Sequence, residues 1–172
     1  GIEFEGSGLS VRNSSFDMVG TSIRGMGKQM RVEGSSFDLR AGDVGISASY
    51  SSNISMDSTM MRIGSGALGV QAFAVRDLKV LNATLTLSGD GAKFMAGSGL
   101  ERVAVSGTMS SESGMGQMIM DVYPSNAGIY RPGAVGLNVT DCDFLSRGDL
   151  SSLFRLYDCR DVLFAKDLFS IS

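Results

Sequence analysis

Histidine and tryptophan are both absent from the 172 residues. Without imidazole, the Ser-His-Asp triad, most base-and-nucleophile pairs and the commonest zinc sites are excluded. Catalysis must then come from carboxylates, Lys, Arg, Tyr or a bound cation, which narrows the field to glycoside hydrolysis or elimination from an acidic sugar. Charge of either sign is modest: 15 Lys and Arg against 18 Asp and Glu give a net charge of −3, and the isoelectric point is about 4.9. With no basic stripe to meet phosphates, nucleic acid is excluded as a partner. No apolar run approaches the ~20 residues of a membrane span, so no membrane partner is expected. Neither a signal peptide nor an initiator Met precedes Gly1, which leads us to expect a processed or truncated chain. Only two cysteines occur, Cys142 and Cys159; they read as buried small hydrophobes rather than a disulfide.

What is present is a repeat. One apolar pattern returns seven times, starting at Leu9, Met30, Ile54, Leu78, Val103, Leu137 and Val162, at intervals of 21, 24, 24, 25, 34 and 25 residues. The first and third positions of each copy are apolar, as in Leu9 and Val11, Ile54 and Met56, or Val103 and Val105. Period two marks a strand with one buried face. The fifth position holds Asn13, Gly34, Ser58, Asn82, Gly107, Asp141 or Lys166, mostly residues that tolerate a left-handed backbone, and reads as a tight corner. A small residue follows, such as Ser35, Thr59, Ala83 or Cys142, and the eighth position is large and apolar in Phe16, Phe37, Met61, Leu85, Phe144 and Phe169. A third strand per coil is suggested by Ile46 and Ala48, Phe73 and Val75, and Phe154 and Leu156.

One copy cannot bury its apolar face alone, so copies must stack at ~4.8 Å spacing. The expectation is an all-β solenoid of about seven coils spanning residues 1–172 as one domain, ~30 Å long. Its ends look uncapped, since Ile2 and Phe4 already read as strand and Ile171 falls inside one. The Asn-rich corner with small residues stacked inside resembles the right-handed parallel β-helix of the pectin lyase-like superfamily. That resemblance covers nearly the whole chain and implies the right-handed winding. Members of the superfamily include polysaccharide lyases, polygalacturonase-like hydrolases, virus tailspikes and surface adhesins. No catalytic motif of the superfamily is present, and fold alone does not choose among these roles.

Two constellations carry candidate chemistry. The ninth position of successive copies gives Asp17, Asp38 and Arg62, all pointing outward from one sheet. Stacking sets the two carboxylates about one rung, ~5 Å, apart, the separation of acid and nucleophile in a retaining glycosidase. Arg62 would hold one of them charged, and Asp43 would join Asp17 and Asp38 if a calcium ion bound there. The same residues also read as a solvated charge ladder. The second constellation is the fifth copy, where Ser110 and Glu112 occupy mostly apolar positions and the longest coil carries a loop within residues 110–136. Its Asp121, Tyr123, Asn126, Tyr130 and Arg131 suit the faces and hydroxyls of a sugar, and Glu112 is taken with them as a substrate-binding residue. The plainer reading is a loop packing its own Tyr rings over the solenoid. Charged residues before several copies (Arg76 and Asp77, Glu101 and Arg102, Arg160 and Asp161) read as a salt-bridged turn ladder. Sequons at Asn13, Asn53, Asn82 and Asn138 are matches expected by chance in a chain rich in Ser and Thr.

Two functions follow as expectations: a carbohydrate-engaging module of an extracellular, cell-surface or virion protein, or a non-catalytic structural rod or adhesin repeat. Cleavage, if it occurs, would be hydrolysis through Asp17 and Asp38. Trimeric association would suit a tailspike.

Overall fold

The computed structural model describes residues 1–126, 128–147 and 153–171. Among the described residues there are nineteen strands, numbered β1 to β19 in chain order, and no helix. They form a parallel β-solenoid of about seven turns. One face is a seven-stranded sheet made of β2 (Ser15–Asp17), β4 (Ser36–Leu39), β7 (Met60–Ile63), β10 (Thr84–Ser88), β13 (Met109–Ser113), β16 (Asp143–Ser146) and β19 (Leu168–Ile171). The other two faces share a twelve-stranded sheet. In the first coils β1 (Ile2–Arg12) and β3 (Thr21–Glu33) are long enough to run through both of these faces. Later coils break the chain at the edge between them. Their shorter strands are β5 (Val44–Ser49), β8 (Leu68–Phe73), β11 (Lys93–Ser98), β14 (Met118–Val122) and β17 (Phe154–Leu156) on one side, and β6 (Ser52–Asp57), β9 (Arg76–Leu81), β12 (Leu100–Ser106), β15 (Ala134–Thr140) and β18 (Cys159–Ala165) on the other.

The register follows the repeat. Leu9, Met30, Ile54, Leu78, Val103, Leu137 and Val162 are successive rung partners. The fifth position takes the left-handed conformation in all seven copies, with φ of 48° at Asn13, 56° at Gly34, 50° at Ser58, 51° at Asn82, 60° at Gly107, 55° at Asp141 and 59° at Lys166. Pairing continues through this corner: the Asn82 N–H, for instance, donates to the Ser106 carbonyl of the next coil at 2.9 Å. The corner therefore leaves its buried backbone groups satisfied.

Inside the tube, equivalent side chains stack. Phe16 lies on Phe37 with ring centroids 4.8 Å apart and planes 8° from parallel, one rung spacing. Phe37, Met61, Leu85, Phe94 and Phe144 are fully buried, and each such side chain contributes roughly 1.5–3 kcal/mol of hydrophobic stabilisation. Cys142 lies buried in the small-residue column and Cys159 half-buried at a different edge; both thiols are free.

The third strand needs one correction. The apolar pair on the inner face of β8 is Val70 and Ala72, the rung partners of Ile46 and Ala48, not Phe73 and Val75. Ala74 takes φ 53° at the edge, which breaks the two-residue period. Phe73 is left half-buried on the outer side, its ring edge-on to Tyr50 at 5.3 Å, while Val75 turns inward only beyond the edge.

Candidate functional site

The carboxylate ladder has the expected register: Asp17 pairs with Asp38, and Asp38 with Arg62. All three residues border a depression of ≈ 300 Å³ that Ser15, Ser36 and Met60 also line. The guanidinium that pairs with Asp17 is that of Arg40, at 2.8 Å, rather than that of Arg62. Asp43 is taken elsewhere. It is 2% exposed, and its two oxygens accept the backbone N–H groups of Gly20 at 2.7 Å and Arg40 at 2.8 Å, closing a corner instead of joining Asp17 and Asp38. No group of three or more Asp, Glu or Cys side chains able to hold a metal occurs among the described residues.

The long coil builds a more enclosed arrangement. Asp121 faces outward from β14, yet its side chain is only 4% exposed because two cations cover it. Lys93 Nζ stands 2.6 Å from Oδ2, and Arg155 makes a forked contact with Nε at 2.7 Å from Oδ1 and Nη2 at 2.6 Å from Oδ2. The register sets this up, since Arg155 is the rung partner of Asp121. Arg155, then Lys93, hold the Asp121 carboxyl below the usual carboxylate range and so keep it charged. Two cations against one carboxylate leave the cluster with one net positive charge.

Tyrosines stand beside it. Tyr123 directly follows β14, and the Tyr157 N–H donates to the Val122 carbonyl at 2.9 Å, which puts Tyr157 one rung from Tyr123. Ser125 and Arg131 exchange two backbone hydrogen bonds, of 3.0 and 2.8 Å, closing a small antiparallel turn. Tyr130 in that turn donates its hydroxyl to the Asp158 carboxylate, fastening the loop to the next coil. Tyr123, Tyr130 and Tyr157 are 47%, 57% and 55% exposed. Asn126 is exposed at the tip. Arg131 instead lies down over Gly99, bordering a groove of ≈ 360 Å³ shared with Lys28, Tyr50, Arg76 and Glu101.

Glu112 does not belong to this surface. It points into the tube in the column Ile63, Leu87, Glu112, Ser146 and is 0% exposed, so it is not presented to a glycan. Strand parity dictates this placement in spite of the charge. Burial pushes its carboxyl up to about 7, and the nearby Ser146 hydroxyl offsets part of that rise without reaching hydrogen-bond geometry.

Four of the six charged turn residues form ion pairs between coils: Arg76 meets Glu101 at 2.8 Å, and Arg102 makes a forked pair with Asp77 at 2.6 and 2.7 Å. Arg102, mainly through its hydrogen bonds, lowers the Asp77 carboxyl. Lys93, Arg155 and Tyr157 escaped sequence reasoning. The signal for the last two is the rung register, which is hidden wherever an insertion makes coil length uncertain.

No family model matches the chain, and no curated protein matches it. Among solved structures, one named "putative glycosyl hydrolase" from Parabacteroides merdae aligns over 90% of this chain and 81% of its own, at 13% identity and a TM-score of 0.39. QnrB1, a plasmid-mediated fluoroquinolone resistance protein, aligns over 93% of this chain and 91% of its own, at 16% identity and a TM-score of 0.19. Likeness at these levels bears on neither family nor activity.

Proposed function

We propose that this chain is a carbohydrate-engaging module of an extracellular, cell-surface or virion protein, and that it is a pectin lyase-like β-helix. The observation that carries the reading is the trio of exposed tyrosines, Tyr123, Tyr130 and Tyr157, beside the Lys93–Asp121–Arg155 cluster. Exposed rings on a stiff scaffold offer flat apolar faces to the C–H faces of sugar rings, and neighbouring fixed charges meet hydroxyl or carboxylate groups. Tyr130 is pre-ordered by its tether to Asp158, so binding costs less side-chain entropy.

Titration calorimetry against a panel of neutral and acidic polysaccharides tests this reading. The Tyr123→Ala/Tyr157→Ala variant is expected to bind its best glycan about tenfold or more weakly, the loss of roughly 1.4 kcal/mol. Unchanged affinity in that variant, or no binding to any glycan by the wild type, would remove the proposal in favour of a structural rod.

A second reading adds cleavage. Asp17 and Asp38 are adjacent rungs on the edge of one depression, which fits the carboxylate spacing of a retaining glycosidase. Shortened products whose new non-reducing ends are saturated, as hydrolysis and not elimination leaves them, are expected from the wild type and not from Asp17→Asn or Asp38→Asn. Equal product from all three would exclude these carboxylates as the catalytic pair.

A further inference from the structure

Coils five and six gather a buried polar cluster on the inner face of the seven-stranded sheet, which is apolar in the coils before them. The inner columns of the seven-stranded sheet read Phe37, Met61, Leu85, Ser110, Phe144 and Leu39, Ile63, Leu87, Glu112, Ser146 from one rung to the next. Ser110, Glu112 and Ser146 thus replace three large apolar groups at adjoining places. Gln117 enters from the corner that follows β13, in the column occupied by Ala67 and Ala92. Exposure is 7% for Ser110, 0% for Glu112, 0% for Gln117 and 1% for Ser146.

The hydrogen bonding there is one-sided. Gln117 Nε2 donates to the carbonyls of Leu87 at 3.1 Å, Gly89 at 2.9 Å and Ser113 at 2.8 Å. These fix the amide with its nitrogen toward the backbone of the turn and its oxygen on the other side. Ser110 Oγ, Glu112 Oε1 and Oε2, Gln117 Oε1 and Ser146 Oγ are buried without a hydrogen-bond partner among the protein atoms. Each buried oxygen left unmet destabilises the fold, and an ionised one does so more. With Glu112 ionised, as it is above about pH 7, three of the five are pure acceptors against two serine hydroxyl protons, so the group has an excess of lone pairs.

Room for an occupant comes from the side chains themselves. Serine is much smaller than the Leu85 and Phe144 that flank Ser110, or than the Leu and Ile that precede Ser146 in its column. Oxygen-only donors favour a hard cation. A single carboxylate balances one positive charge, whereas a divalent ion would leave an uncompensated charge in the core.

We propose that the interior of coils five and six binds one hard monovalent cation, sodium or potassium, between the Glu112 carboxylate and the side-chain oxygens of Ser110, Gln117 and Ser146. This inference is independent of the glycan reading, because these four side chains are buried inside the tube whereas the tyrosines are exposed on its outside.

The test is thermal unfolding at pH 8, with chelator present, in sodium, potassium or choline chloride at equal ionic strength. Choline is too large to enter. A bound cation stabilises only the folded chain, so the Tm is expected to be about 4 °C or more higher in sodium or potassium than in choline. Glu112→Gln, which keeps the shape and loses the charge, and Glu112→Leu, which restores the apolar column, should both abolish that difference. Equal wild-type Tm in the three salts would overturn the proposal and assign the pocket to water; so would a difference that persists in both variants, which would mark a general salt effect.

Discussion

Substituting Glu112 by leucine is expected to abolish a loss of stability of about 3 kcal/mol that the wild-type chain suffers between about pH 4.5 and pH 7. The Glu112 carboxyl is raised from 4.5 to about 7 by burial. Between those values the unfolded chain has released the proton and the folded chain still holds it. The folded state therefore binds more protons, and stability falls as pH rises through this window. The contribution is fully present below about pH 4.5 and gone above about pH 7. Ser110, Ser146 and Gln117 are the polar groups that face Glu112, and none of them titrates. Among the described residues, the other ionisable group buried inside the tube at this level is the Cys142 thiol, which burial pushes above its ordinary value and which stays protonated through the window. Asp121 faces outward and is held by its own cations.

Urea unfolding of both proteins across this range, in choline buffer to keep alkali cations away, isolates the effect in the difference between the two stability curves. All other carboxylates are common to both chains and cancel. Leucine matches Leu87 on the adjoining rung, so the variant also fills the column with an apolar side chain. Parallel curves would mean that the Glu112 carboxyl is solvated in the folded state, contrary to its burial.

The fold was legible because a solenoid repeats its own evidence. Apolar residues at every second position and a corner of positive φ recur seven times, a small residue after the corner six times, and each copy checks the others. The error at Phe73 and Val75 arose where this support was thin, since a left-handed Ala74 shifts the inner face by one residue and alanine carries no signal of doing so. The site was half legible. Tyr123 and Tyr130 stand exposed, as expected for a projecting loop, but Tyr157 and Arg155 join that surface only through rung pairing across a 34-residue coil, whose insertion hides the register. Glu112 shows the opposite failure. The repeat placed it in an inner column, its charge argued for solvent, and strand parity prevailed because turning one side chain outward would turn its neighbours with it.

Phe144→Ala is expected to cost about 3–5 kcal/mol, and Phe169→Ala, one rung further along the same column, markedly less. Phe144 is fully buried, stacks on Phe169 at 5.6 Å and meets the edge of Phe154 at 5.4 Å. On its other side stands Ser110, too short to fill the space that truncation would open, so the transfer loss and the cavity add. Phe169 is 43% exposed, and its removal forfeits only part of the same burial. In a solenoid each coil rests on its neighbours alone, so the damage should stay local. Amide exchange in Phe144→Ala should quicken across strands β13 to β18 while β4 to β9 keep their protection. Equal urea midpoints for the two variants would contradict the stacked column, and uniform acceleration of exchange along the whole chain would show that the seven coils unfold as one unit rather than rung by rung.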